Sequence, residues 1–221
     1  MASISRPLAV ALLIGTALLG IGAALHPMLP ADVPGQLRMI AASAIFRPVH
    51  LAMLCGSGLI IAGVWTRLSL GRAATPAPMI GGLALVCLGV CFNAIDIAFM
   101  GGAGWHLATA YVAGQRELAP LFEALHRFGL LTARFGNFLV ALGALVLGFA
   151  ERADPESPRW MAWLAWLAAA GGLAGVVLVP EASLLMLTAV TLISGWSVGT
   201  AMWALQGQGY RTEAVSGLGL R

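Results

Sequence analysis

The chain has 221 residues, of which 60% are hydrophobic and 10% charged, with a mean hydropathy of +0.91. That balance excludes an ordinary soluble domain. The net charge of +3 comes from arginines scattered near helix ends, with no lysine, basic cluster or interleaved aromatic platform, so no nucleic-acid partner is expected.

Unbroken apolar runs of roughly 18 residues or more are long enough to cross about 30 Å of hydrocarbon as helices. Such runs exclude a β-barrel, whose strands alternate apolar and polar residues. The expected fold class is an all-α membrane protein with six transmembrane helices arranged as three hairpins. The spans fall at about 8–25, 44–65, 79–100, 120–150, 160–179 and 182–205 in a single polytopic domain, and 206–221 reads as a polar, flexible tail.

Arg6 precedes the first span, which resembles a signal peptide but is long and is followed at once by further spans, so a retained helix is expected. It ends at His26 and Pro27, and Pro30 and Pro34 oppose continuation into the loop holding Asp32, Gly35 and Arg38. The second span opens with Arg47 and His50 and carries Gly56, Gly58 and Gly63 as a small-residue packing face. Arg67 and Arg72 then occupy a short loop.

The third span holds Asn93 and Asp96 on one face by their i,i+3 spacing. The glycines at 101, 102 and 104 are expected to free the backbone after it, with Trp105 and His106 at the interface and a short interfacial helix near Gln115–Glu117. The fourth span is longer than one crossing needs. Glu123, His126 and Arg127 lie in its first turns, and Arg134 and Asn137 lie deeper. A polar loop at 151–159 precedes the fifth span, whose Trp160, Trp163 and Trp166 suggest an interfacial belt. Cys55, Cys87 and Cys91 fall within spans, read as small apolar residues there, and make no disulfide framework.

Arg6, Arg67, Arg72, Arg152, Arg159, Arg211 and Arg221 fall on one side of this topology, and Arg38, Arg47, Arg116 and Arg127 on the other. The positive-inside rule then puts both termini in the cytoplasm of a bacterial inner membrane. All four histidines, His26, His50, His106 and His126, lie near the outer leaflet. The first two hairpins share this layout, with offsets of 80 residues (26 to 106) and 76 residues (50 to 126), while the third keeps only Glu181 at its turn.

Imidazole is a common ligand of transition metals and of haem. His50 and His126 are the leading ligands of a haem b held between spans, with Arg47, Arg127 and Arg134 placed to pair with its propionates. A non-haem metal would draw on His26, His50, Asp96, His106, Glu123 and His126, of which Glu123 and His126 form one Glu-x-x-His spacing. Six spans with four histidines resemble the transmembrane b-type cytochromes, and that resemblance implies haem b and electron transfer. Those families distribute histidine pairs to both leaflets, whereas here all four lie near one.

The expected function is therefore a redox or sensing role at a site binding haem b or a transition metal, possible in a membrane oxidoreductase. Two alternatives stand beside it. One is a small-solute or proton-coupled transporter using Asp96 and Arg134, since an ionisable group at membrane depth costs at least about 2.5–3.5 kcal/mol. The other is a scaffold or assembly subunit, with Asp96 and Arg134 as a registry-setting ion pair. No P-loop, nucleophile elbow, zincin helix or dinucleotide fingerprint occurs. Partners beyond the lipid bilayer are limited to other membrane subunits or a quinone-type or other small lipophilic molecule.

Overall fold

Every described residue that belongs to a regular element is helical, because hydrocarbon offers backbone groups no partner outside the chain. The computed structural model describes residues 2–70, 77–178 and 187–216, with side chains at 5–70, 77–178 and 192–206. Arg72, Pro180, Glu181 and the end of the tail, 217–221, lie outside the described residues.

The helices are α1 (Ala2–Leu25), α2 (Val33–Ala42), α3 (Phe46–Gly63), α4 (Ala77–Phe99), α5 (Trp105–Val112), α6 (Ala119–Ala153), α7 (Arg159–Leu178) and α8 (Leu187–Ser216). A 3₁₀ extension, Val64–Ser69, prolongs α3. Five segments among the described residues are long and apolar enough to cross a membrane: Ser5–Leu25, Phe46–Ser69, Ala77–Val112, Arg116–Ala153 and Arg159–Leu178. The expected count of six is thus shown for five. The expected sixth span falls on α8 and on residues before it that lie outside the description.

Packing follows the chain. α1 lies against α3, α4 against α6, α6 against α7 and α7 against α8, and α8 returns to α1. Small residues permit the closest approaches. A Cβ on Gly89 would lie 2.5 Å from the Gly136 carbonyl oxygen, and one on Gly82 would lie 2.8 Å from the Leu147 side chain, so α4 and α6 meet nearly backbone to backbone. Gly56 and Gly63 of α3 meet α1 in the same way, whereas Gly58 faces open space.

Two local expectations are corrected. Gly101, Gly102 and Gly104 do not open a loop, because a π-helical turn, Met100–Gly104, carries α4 straight into α5. Gly101 is needed there for approach, since its Cβ would lie 2.8 Å from that of His50. The chain turns instead at Gly114, whose φ of 113° suits glycine. The first loop is also partly helical: Asp32 caps α2 by accepting from Gly35 N at 2.7 Å, with Pro34 in the first turn.

The third correction concerns the ion pair. Arg67 is not a loop cation but 2% exposed, and it donates Nε and Nη2 to Glu151, itself 1% exposed, at 2.8–3.1 Å. Nη2 also reaches Asp154 Oδ2 at 2.7 Å, Ser157 Oγ donates to Glu151 Oε2 at 2.6 Å, and the Trp203 ring lies 5.0 Å from the guanidinium. This cluster ties α3, α6 and α8 together at the end of the bundle opposite the histidines.

Removing one partner from such a pair strands a buried charge. Glu151→Ala is therefore expected to lose about 3–5 kcal/mol of stability, read as a lower Tm in detergent, and Arg67→Met with Glu151→Leu should recover most of it. At the exposed Arg127–Glu123 pair, Glu123→Ala should shift stability by no more than about 0.5 kcal/mol.

Burial alone would raise the Asp154 carboxyl, but hydrogen bonds from Arg67 and from the Glu156 and Ser157 amides outweigh it and hold the group below the ordinary carboxylate range. Its contribution is then complete above the unfolded value of about 3.9 and disappears as pH falls through the lower folded value. The Tm difference between wild type and Asp154→Asn should accordingly be constant at neutral pH and narrow below about pH 4.

Candidate functional site

A cavity of about 870 Å³ opens at the histidine end and runs down the inside of the bundle. Its walls come from α1 (Leu19, Ala23), α3 (His50, Met53, Ser57, Ile60), α4 (Val86, Val90, Asn93, Asp96, Ile97), one face of α6 (Glu123, His126, Arg127, Leu130, Leu131, Ala133, Asn137, Val140) and α8 (Ile193, Ser194, Ser197), with 26–31, Val33 and Gln36 at the mouth. On α6 the lining runs from Glu123 to Val140, about 25 Å of helix.

The chamber gathers His26, His50, His126, Asp96, Glu123 and Arg127, six of the nine residues singled out from the sequence. The other three are elsewhere. His106 is exposed with its ring against Trp105 at 5.1 Å, because the π-turn carries α5 away from the mouth. The Arg47 guanidinium lies over the Trp105 ring at 4.9 Å, and Arg134 is not a lining residue. Among the described residues no group of three His, Cys, Asp or Glu side chains is placed to hold a metal ion. Glu123 pairs with Arg127 at 2.6 Å rather than with His126.

The imidazoles are held by specific partners. His50 Nδ1 lies 2.8 Å from the Phe46 carbonyl oxygen, which can only accept, so Nδ1 carries the proton and Nε2 keeps a bare lone pair. Its ring is buried between Phe46, at 4.2 Å, and His26, which meets it edge-on at 4.9 Å. His126 Nδ1 lies 3.2 Å from Gln36 Oε1. Gln36 Nε2 donates to the Pro30 carbonyl at 2.9 Å, which fixes the amide so that its oxygen faces His126. His126 is therefore also protonated on Nδ1 with Nε2 bare. Outside the spans, burial pushes His26 below the ordinary imidazole range, and a hydrogen bond to the Pro27 backbone only partly offsets this.

Deeper in, Asp96 Oδ1 is buried without a hydrogen-bond partner, and a Cβ on Gly129 would collide with it. Gly129 is what lets the carboxyl fit beside α6. One turn below, Asn93 Nδ2 donates to Gly89 O at 3.1 Å and to Asn137 Oδ1 at 3.3 Å. Ser57 Oγ donates to Met53 O at 3.0 Å. The donors of Asn93, Ser57 and the two imidazoles are thus consumed within the protein, while the Asp96 carboxyl and two imidazole Nε2 atoms remain as acceptors.

Gln36, Asn137, Ser57 and Ser197 were not among the candidates read from the sequence. Gln36 had no signal there, since its partner lies 90 residues away. Asn137 had one, being an amide at membrane depth on the His126 face. No family model, curated protein or solved structure matches this chain.

The hydrogen-bond pattern dictates a spectroscopic outcome. In protein carrying ¹⁵N-labelled histidine, at pH 8, His50 and His126 should both appear as the neutral tautomer with the proton on Nδ1. In Gln36→Leu, His126 alone should shift toward a tautomer mixture, while His50 stays as it was.

Proposed function

We propose that the protein binds a small lipophilic molecule drawn from the bilayer, in the chamber between its helical hairpins, as a carrier or sensor. The full topology in this reading is six spans in three hairpins with both termini cytoplasmic, in a bacterial inner membrane, so the mouth of the chamber lies toward the outer leaflet. The observation that carries the proposal is the chamber: about 870 Å³ within a largely apolar wall that includes Asp96, one of whose carboxyl oxygens is packed against Gly129 without a hydrogen bond. That volume is in the range of small-molecule sites, about 300–1,000 Å³. An unmet carboxyl oxygen is costly in hydrocarbon, and such groups mark ligand or ion sites in membrane proteins.

This is the transporter alternative in altered form. Asp96 belongs to the chamber and Arg134 does not line it.

A second reading keeps the redox site. The bare Nε2 atoms of His50 and His126 are in the tautomer that metal-ligating histidines adopt when a carbonyl holds the other ring nitrogen. Haem b ligated by this pair, with Arg127 toward a propionate, is the form it would take. A bis-histidine haem leaves the Asp96 carboxyl of the lining without a role, which ranks haem second.

Organic extraction of the purified protein followed by mass spectrometry tests the first reading. Wild type should retain one lipophilic molecule per chain, and Ala133→Trp, which fills the chamber from α6, should retain at least about tenfold less at unchanged Tm. A Soret band in wild type that disappears in His50→Ala and in His126→Ala would replace this reading with haem.

A further inference from the structure

We infer that the chamber is built for a primary ammonium head carried on a long apolar tail, an inference that rests on the ligand-binding reading above. The head would sit against Asp96.

Two properties of the lining lead there. The first is hydrogen-bonding sense. The Nδ1 protons of His50 and His126, both amide protons of Asn93 and the Ser57 hydroxyl are already donated to protein oxygens. What these side chains leave to the chamber is acceptors. A ligand head made of carbonyls, ethers or phosphate oxygens would place acceptor against acceptor, leaving buried oxygens unmet on both sides. The head must bring donors.

The second property is charge. Arg127 is the cation of the lining, and it is paired with Glu123 at the mouth, so the Asp96 carboxylate is the charge that a ligand has left to compensate. Transferring an unpaired charge into hydrocarbon is expensive, whereas a cation arriving with the ligand neutralises it in place. A primary ammonium supplies one positive charge and three donors on a single small atom. An alcohol supplies one donor and no charge, and a quaternary ammonium supplies charge and no donor.

The tail has a place as well. From Asp96 inward, the α4 wall continues through Val90 to Val86 for about 15 Å, faced by Ile60 of α3 and Val140 of α6. These four side chains are buried and apolar. Toward the mouth the walls mix His26, His126 and Arg127 with Met28, Leu29 and Val33.

Three probes that share one chain separate the contributions: dodecylamine, 1-dodecanol and dodecyltrimethylammonium. Radiolabelled dodecylamine is measured by equilibrium gel filtration on the full-length protein in mild detergent at pH 7.5, where the amine is charged. The expected result is saturable binding of one molecule per chain, with the alcohol and the quaternary compound each competing at least about tenfold more weakly. Asp96→Asn, nearly isosteric, should weaken dodecylamine at least about tenfold at unchanged Tm and leave dodecanol where it was. Equal competition by dodecanol, or undiminished amine binding in Asp96→Asn, overturns the ammonium assignment while the chamber still binds a lipophile. Saturable binding by none of the three overturns the chamber reading itself.

Discussion

A polar side chain in hydrocarbon must find its partner within the protein, and this chain meets that constraint in opposite ways at its two ends. At one end Arg67 lies in a ring of ligands: two carboxylates and an indole face, with a serine hydroxyl completing the acid. One guanidinium answers both carboxylates there, and three helices that are distant in sequence are locked in one register. At the other end one carboxyl oxygen of Asp96 has no hydrogen bond. An undersatisfied site is tolerable when the rest of the bundle is held elsewhere. The saturated cluster provides that hold, and the chamber's mouth lies far from it.

Helix packing explains why a chamber exists at all. The glycines of α4 and α6 draw these two helices together, and those of α1 and α3 do the same in the first hairpin. Contacts between the two hairpins are far fewer, passing chiefly between α3 and α4. Tight pairs that meet loosely leave space along their seam. The seam is where His50, Ser57 and Ile60 of α3 face Asp96, Asn93 and Val86 of α4. A larger residue at 129 would close the space around Asp96, so a single glycine maintains the most polar point of an apolar corridor.

The spans were legible because hydrophobic length is a local property, and five of the six expected segments appear at nearly the expected places. The grouping of His26, His50, Asp96 and His126 was legible too, since topology alone puts helix ends on the same side. Arg67 with Glu151 was not. Both looked like loop residues near span boundaries, and only the 3₁₀ extension of α3 and the long reach of α6 carry them inside to meet across 84 positions. His106 lies outside the chamber for a related reason. Three glycines read as a flexible exit, but their lack of side chains lets the backbone pass close to His50 while staying helical. Local composition reported permissiveness, and tertiary contact decided how it was used.

The tautomers of the two central histidines link this packing to chemistry. His50 is set by its own helix, through the carbonyl one turn earlier. His126 is set by α2, a short capped helix outside the spans, whose Gln36 is itself oriented by Pro30. One clamp is intrinsic to the hairpin and the other depends on the segment that roofs the mouth. Both spend the ring proton on the protein and turn the remaining nitrogen into an acceptor. A neutral imidazole has one donor and one acceptor, so fixing the donor fixes what the ring can offer a ligand. With two rings committed in the same sense beside an unmet carboxyl oxygen, anything that binds well must carry donors, positive charge or a Lewis-acidic centre. The haem and ammonium readings differ in shape and charge, but the same acceptors underlie both.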